Sequence, residues 1–380
     1  MTITRRLLLA GTAAGFVPYR AMAEAPVLAG VSGPLSGPNA QYGAQWKKGF
    51  DLALEQINQT PYQGRTFAYT FEDSQSDPRQ SVTVAQKFVS DPRIIIELGD
   101  FSSPASMAAS PIYQRAKLVQ FGFTNSHPDF TKGGDYMWSN SASQADEQPK
   151  TAEYAISALG LQRLAVLHLN TDWGRTSKDA FVKAATGFGA QVVDVEGYLP
   201  TEQDFRSMLV RARDAKPDGL VLLSYYADAA LLVRQIRDLG LPQVIVAASS
   251  VYSPKLIELG GPAANGVHTI SAFFPAEKRP EVLDFVTRFR AKYDVDPDMF
   301  NAGAYDTMNL FAALVRQFGA TRPAMHDGLE KIKDVPSVVY GHVTFNTETH
   351  RAQAANYKYL VVKDGAFAMW DGVKPARPVL

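Results

Sequence analysis

The chain has 380 residues, 46% hydrophobic and 20% charged, which is too long for one compact core and is neither the composition of a disordered chain nor that of a membrane-spanning one. Lys plus Arg and Asp plus Glu both number 38, so no net field gathers a polyanion, and no basic cluster interleaved with aromatics does so locally; both facts argue against nucleic-acid binding. Cysteine is absent, which removes disulfides, thiolate metal sites and cysteine nucleophiles.

The first 23 residues run from a basic start at Arg5 and Arg6, through an apolar small-residue stretch to Val17, to Ala21-Met22-Ala23. That order reads as a cleavable export signal, with the mature chain beginning near Glu24; its apolar run is too short for a permanent bilayer anchor. The arginine pair suits twin-arginine export, and a Sec signal carries such a pair as well. The alternative reading of this segment is an N-terminal helix packed on the domain.

From residue 27 onward, short apolar runs alternate with amphipathic stretches. Residues 27–31 read as a strand, and Trp46, Phe50, Leu54 and Ile57 form one apolar stripe of a helix. A strand at 66–71 precedes a helix opened by Asp77 as N-cap with Pro78 in the first turn, turning Val82, Ala85, Phe88 and Val89 inward. The β-branched run at 94–98 suits a strand buried on both faces. The rhythm repeats after residue 150, with strands at 163–169, 191–195, 218–224, 244–248 and 267–272 and helices at 173–188, 204–215 and 227–239, the last followed by Gly240 as a C′ residue. The tail departs from it: helices at 279–293 and 304–318 lead to a strand at 338–345 and to a hairpin at 357–370 turned by Asp364-Gly365. Such alternation implies an α/β fold of two Rossmann-like lobes with mainly parallel sheets.

Enzyme signatures are missing. There is no phosphate-binding G-x-x-x-x-G-K-[ST], no zinc-binding H-E-x-x-H and no G-x-S-x-G elbow, and the six histidines are scattered without ligand spacing. Neither a catalytic constellation, nor a metal site, nor a cofactor is expected. Ser102-Ser103-Pro104 is more informative, because it lies where a buried parallel strand meets a helix N-terminus. There, free amide hydrogens, the helix dipole and hydroxyls together suit a ligand carboxylate. The same residues also read as a plain cap, Ser103 at N-cap and Pro104 at N1.

Five segments in register carry a family likeness. They are 33–38 continuing to Gln41-Tyr42-Gly43, then 72–78, Ser102-Ser103, 122–125, and Asp172-Trp173-Gly174. Together they resemble the periplasmic leucine/isoleucine/valine-binding proteins, the type I solute receptors of ABC transporters, over essentially the whole chain after residue 23. The resemblance implies two lobes joined by a multi-strand hinge, residues 24–143 with 274–346 and residues 144–273 with 347–380, crossing over near 143, 273 and 347. It implies that Ser102 or Ser103, together with Gly122 and Thr124, holds a ligand's carboxylate and amino group. Tyr42 would form an aromatic wall, faced from the second lobe by Trp173 and Tyr225, with Tyr226 beside them; Phe101 and Phe123 flank the same place.

One departure bears on the ligand. Amino-acid-binding members of that family carry an acidic residue after the strand that here occupies 244–248, whereas this chain continues Ser249-Ser250-Val251-Tyr252. A buried ammonium there would lack a counter-ion. Asp228 and Asp306 are the candidate substitutes, and each also reads as a solvated cap. The expected ligand is therefore a small carboxylate, either a branched-chain or related amino acid or an aromatic or aliphatic acid without an amine. The expected protein is a monomeric periplasmic solute-binding protein that closes on its ligand and delivers it to a membrane permease. The alternatives are a free sensory module on the same fold and an exported hydrolase, the latter opposed by the missing nucleophile.

Overall fold

A computed structural model describes residues 24–352 and 356–375, so the expected export signal at 1–23 lies outside the described residues. The chain begins with β1 (Val27–Gly33), α1 (Ala40–Ile57), β2 (Phe67–Asp73), α2 (Pro78–Ser90), β3 (Ile94–Gly99), α3 (Ser103–Ala116), β4 (Gln120–Gly122) and β5 (Met137–Ser139). Neighbouring strands among β1–β5 pair in parallel, as the strand–helix alternation requires. Trp46, Phe50 and Ile57 of α1 are buried, the expected stripe, and Asp77 accepts from the amides of Arg79 and Gln80 at the start of α2. On α2 the buried face runs through Ser81, Val84, Ala85 and Phe88, so Val84 rather than Val82 faces the core.

After α4 (Gln144–Glu153) comes a second unit: β6 (Arg163–Leu169), α5 (Asp172–Gly187), β7 (Gln191–Tyr198), α6 (Arg206–Asp214), β8 (Gly219–Leu223), α7 (Tyr226–Asp238), β9 (Val244–Ala247), α8 (Pro254–Gly260) and β10 (Val267–Ser271). Gly240 has φ +65 and closes α7, with its amide donating to Arg237 O and that of Leu241 to Ile236 O. The chain then forms α9 (Pro280–Tyr293), α10 (Met299–Phe318) and α11 (Arg322–Lys331), of which α10 lies along α1. Short strands follow: β11 (Val335–Ser337), β12 (Gly341–Val343), β13 (Phe345–Asn346), β14 (Arg351–Ala352), β15 (Lys358–Lys363) and β16 (Ala366–Met369).

Two seven-stranded sheets result, ordered β13-β14-β5-β4-β3-β1-β2 and β16-β15-β10-β9-β8-β6-β7. Each is parallel at its centre, and antiparallel pairs complete one edge of each. The expected hairpin is present as β15–β16, and both Asp364 (φ 52) and Gly365 (φ 75) take the positive φ that a two-residue turn of this hand needs. Among the described residues no helix is long and apolar enough to cross a membrane.

The chain passes between the sheets after β5, after β10 and after β14. Because Arg351 pairs with Ser139 of the first sheet, the third passage comes after residue 352, not at 347. The expected strand at 338–345 is also interrupted: residues 338–340 form the turn that joins β11 to its antiparallel partner β12, and β13 follows. Its physical cause is Asp306, whose carboxylate accepts from the amides of Val338 and Val339 and from Ser337 Oγ, drawing off the donors that a continuous strand would use.

Candidate functional site

The carboxyl ends of the two sheets face each other. In a parallel α/β sheet this is where backbone donors and loop side chains converge, so a cleft between two such edges is the default place for a ligand. A cavity lies there, with about 730 Å³ of empty space when the part open to solvent is counted. The first lobe contributes Phe101 from the loop after β3, Phe123, Thr124 and Ser126 after β4, Asn140 to Ala142 after β5, and Met299, Phe300 and Gly303 from the first turns of α10. The second lobe contributes Glu147 of α4, Trp173 of α5, Tyr225 after β8, and Ser249 and Ser250 after β9. Tyr340, in the turn between β11 and β12, and Tyr357, just after the last crossing, close the wall.

The aromatic rings form a continuous surface. Trp173 and Tyr225 have centroids 4.7 Å apart, and Tyr225 meets Phe101 edge-on at 4.9 Å. Trp173 is held in place twice: its Nε1 donates to Ser126 Oγ across the cleft at 3.0 Å, and its carbonyl accepts from Gln144 Nε2. Thr124 Oγ1 and Asn140 Oδ1 are buried without a hydrogen-bond partner among the described residues. Both residues face the cavity, and unpaired buried polar atoms of this kind are costly unless something else satisfies them.

Of the residues singled out in the sequence, Phe101, Phe123, Thr124, Trp173 and Tyr225 come together on this wall. Tyr42, Ser102, Ser103, Gly122, Tyr226 and Asp306 do not line it. Tyr42 is wholly buried, stacked on Phe101 at 3.7 Å, and its hydroxyl donates to Ser250 O at 2.7 Å and accepts from the Tyr226 amide at 3.3 Å. Tyr226 in turn donates to Pro38 O at 2.6 Å. These two tyrosines therefore latch one lobe to the other beside the cavity. Their hydroxyls are spent on that contact.

Ser102, not Ser103, occupies the N-cap of α3, and its side chain makes no cap bond. Ser103 Oγ donates to Asn125 Oδ1 at 2.9 Å, and Gly122 O accepts from Ser139 Oγ at 2.6 Å, so both are occupied inside the first lobe. Asp306 is fully buried under the loop it captures, and burial pushes its carboxyl up to about 6. Asp228, pushed up to about 7 by burial, lies off the cavity wall as well. Neither carboxylate reaches the cavity wall.

Among the described residues that line the cavity, the one carboxylate is that of Glu147, which the sequence did not single out. It is 7% exposed, and its Oε1 accepts from Ser249 Oγ at 2.8 Å and from the Ser249 amide at 3.3 Å. A carboxylate thus reaches the loop after β9 from a different element, α4. Burial raises its pKa, with the two bonds from Ser249 opposing. Nothing local in the sequence marks Glu147, which reads as an ordinary first-turn acid of α4.

Two mainly parallel lobes that meet over a small aromatic cavity define a type I two-lobed binding protein. The chain belongs to the periplasmic binding protein family, whose model matches residues 26–366. It is 27% identical over 346 residues to the Leu/Ile/Val-binding protein homolog 1 of Brucella suis, spanning 90% of this chain and 92% of the relative. Among solved structures it resembles the branched-chain amino acid substrate-binding protein LivJ of Streptococcus pneumoniae in complex with isoleucine, at TM-score 0.84 and 22% identity over 93% and 100% of the two chains. It also resembles an ABC-transporter solute-binding protein of R. palustris in complex with 4-hydroxybenzoate, at TM-score 0.82 and 20% identity over 91% and 96%. At such identities the solved structures establish the fold.

Proposed function

We propose that this protein is the exported, periplasmic solute-binding component of an ABC transporter and that it captures a small carboxylic acid between its lobes. The observation that carries this reading is Thr124 Oγ1, a buried hydroxyl without a partner among the described residues, on the wall of an aromatic cavity between two lobes. A carboxylate oxygen would satisfy that donor, and Phe123, Trp173 and Tyr225 would enclose the ligand's body. Isoleucine and 4-hydroxybenzoate, held by two proteins of the same fold, share a carboxylate on a compact apolar frame, which supports the choice of ligand class.

Closure follows from the placement of these groups on both lobes. A ligand that touches Thr124 on one side and Trp173 and Tyr225 on the other binds the closed form more tightly than the open one, and only that difference shifts the population. The closed form is what a membrane permease would recognise. In a thermal-shift panel of leucine, isoleucine, valine, benzoate and 4-hydroxybenzoate, at least one acid should raise the unfolding midpoint and be recovered unchanged after incubation. A panel without any shift, or conversion of the acid to a product, would overturn the reading.

A further inference from the structure

His127 stands where the two lobes and the last crossing meet. It lies on the loop after β4, is 5% exposed, and its carbonyl accepts from the Arg351 guanidinium of β14. The bonds of its ring fix where the proton sits. Nδ1 accepts from the Asp129 amide at 3.1 Å, so the neutral ring carries its hydrogen on Nε2 and donates it to Thr176 Oγ1, 3.0 Å away on α5 of the second lobe. The adjacent Ser126 hydroxyl accepts from the Trp173 indole across the same gap, at the wall of the cavity.

A second ring proton has no place in this arrangement. On Nδ1 it would point at the Asp129 N–H, donor against donor, and the ring would have to turn and give up Thr176. The charged groups that face the ring are Asp129 and Lys132 of its own loop, Asp172 at the start of α5, and Arg351 of β14. Asp129 is paired with Lys132 and Asp172 with Arg175, so neither carboxylate is a free counter-ion, and Arg351 adds a like charge. Burial lowers the imidazole pKa, Asp129 and Asp172 oppose that shift, and Arg351 and Lys132 add to it. Separating the lobes takes α5 away from the ring and admits water, so the open form holds the proton more tightly than the closed one.

We propose that His127 makes closure sensitive to pH: the closed cleft requires its neutral ring, so acidification opens the lobes and weakens the hold on the ligand. This device rests on the preceding reading, in which an acid is captured between the lobes. As pH falls below about 6.5, the ordinary histidine value, the closed form loses ground to the open one by up to about tenfold per pH unit.

Calorimetric titration at about pH 7.5 and about pH 5.5 tests this, with leucine, isoleucine, valine, benzoate and 4-hydroxybenzoate, whose carboxyls are chiefly ionised at both. Each acid that binds should do so roughly three- to tenfold more weakly at the lower pH. In His127→Gln, whose amide donates to Thr176 without titrating, that ratio should be smaller by about threefold or more. An equal ratio in the two proteins, or undiminished affinity of the unaltered protein at the lower pH, would overturn the role of His127 while sparing the capture of an acid. Failure of all five acids to bind at either pH would remove both. If the variant does not fold, nuclear magnetic resonance titration of the His127 ring in the unaltered protein decides the matter. Its pKa should be lower with one of these acids bound than without, and an equal or higher value would overturn the proposal.

Discussion

Thr124 is the residue whose environment most directly calls for a ligand, because its hydroxyl is buried and unpaired among the described residues. Removing it deletes a donor for the bound acid and also a small cost in the empty protein. Thr124→Ala should therefore weaken binding of the acid about ten- to a hundredfold, the loss of a charge-assisted hydrogen bond, with the ligand-free unfolding midpoint unchanged or slightly higher. Titration beside a melting curve checks both halves, and unchanged affinity would count against the site. Phe101, Phe123, Thr124, Trp173 and Tyr225 were legible through the family resemblance; each sits after a strand or in the first turn of the following helix, beside the cleft. Glu147 was not, since its place on the wall depends on α4 meeting the loop after β9, a contact spanning 102 residues that no local pattern announces.

His268 allows a separate test of burial at this scale. Its Nδ1 lies 2.8 Å from the Tyr154 hydroxyl, which donates to Leu360 O, and burial lowers the imidazole pKa from 6.5 to about 4. Here the folded state holds its proton less tightly than the unfolded chain does. The stabilisation is therefore complete above about pH 6.5 and is lost as pH falls toward 4. Comparison with His268→Gln isolates this group from the other titrating residues: the stability difference between the two proteins should shrink on acidification through that window, by up to about 3 kcal/mol. A pH-independent difference in denaturant titrations would contradict the assignment.

At the scale of elements, α10 does two jobs. Asp298 caps it through the amides of Phe300 and Asn301, and Asn301 Oδ1 accepts from the Asp298 amide in return. That box starts the helix at Met299, five residues before the start expected from apolar spacing, and brings Met299, Phe300 and Gly303 to the cavity. Two glycines mark its two faces. A Cβ at Gly303 would meet only Phe123, at 4.0 Å, whereas a Cβ at Gly49 on α1 would overlap the Asn301 carbonyl where the two helices cross.

Gly303→Ala should thus raise the ligand-free midpoint, by about 2–4 °C for a gain near 1 kcal/mol in helix propensity, while narrowing the cavity. Gly49→Ala should lower it, at a cost of about 1–3 kcal/mol for forcing the helices apart. Shifts of the same sign in the two melting curves would refute this account of the helix pair. The strand–helix rhythm of both lobes was readable because buried parallel strands and amphipathic helices impose distinct periods. The tail was less so, because Asp306 reshapes residues 337–340 through hydrogen bonds made 31 to 33 positions away.

At the scale of the whole molecule, the two lobes meet through specific contacts beside the cavity as well as around it. The Tyr42 hydroxyl bridges to Ser250 O, the Tyr226 hydroxyl to Pro38 O, and His127 Nε2 lies 3.0 Å from Thr176 Oγ1. These bonds favour the closed arrangement before any ligand contact is counted, and Tyr42→Phe removes both bonds of the Tyr42 hydroxyl, to Ser250 O and from the Tyr226 amide, while keeping the stack on Phe101. A net loss of about 1–3 kcal/mol from the closed state predicts a drop in affinity of roughly five- to a hundredfold together with a more extended ligand-free particle in solution scattering. A change in neither quantity would show that the latch does not govern closure.

The central claim is that a small acid sits between the lobes with its carboxylate on Thr124. A crystal structure of the protein grown with the acid that gives the largest thermal shift tests it most directly. The account predicts density for that acid inside the closed cleft, a carboxylate oxygen within hydrogen-bond distance of Thr124 Oγ1, and its body against Phe123, Trp173 and Tyr225. Density for the acid elsewhere, with the cleft holding only solvent, would contradict it.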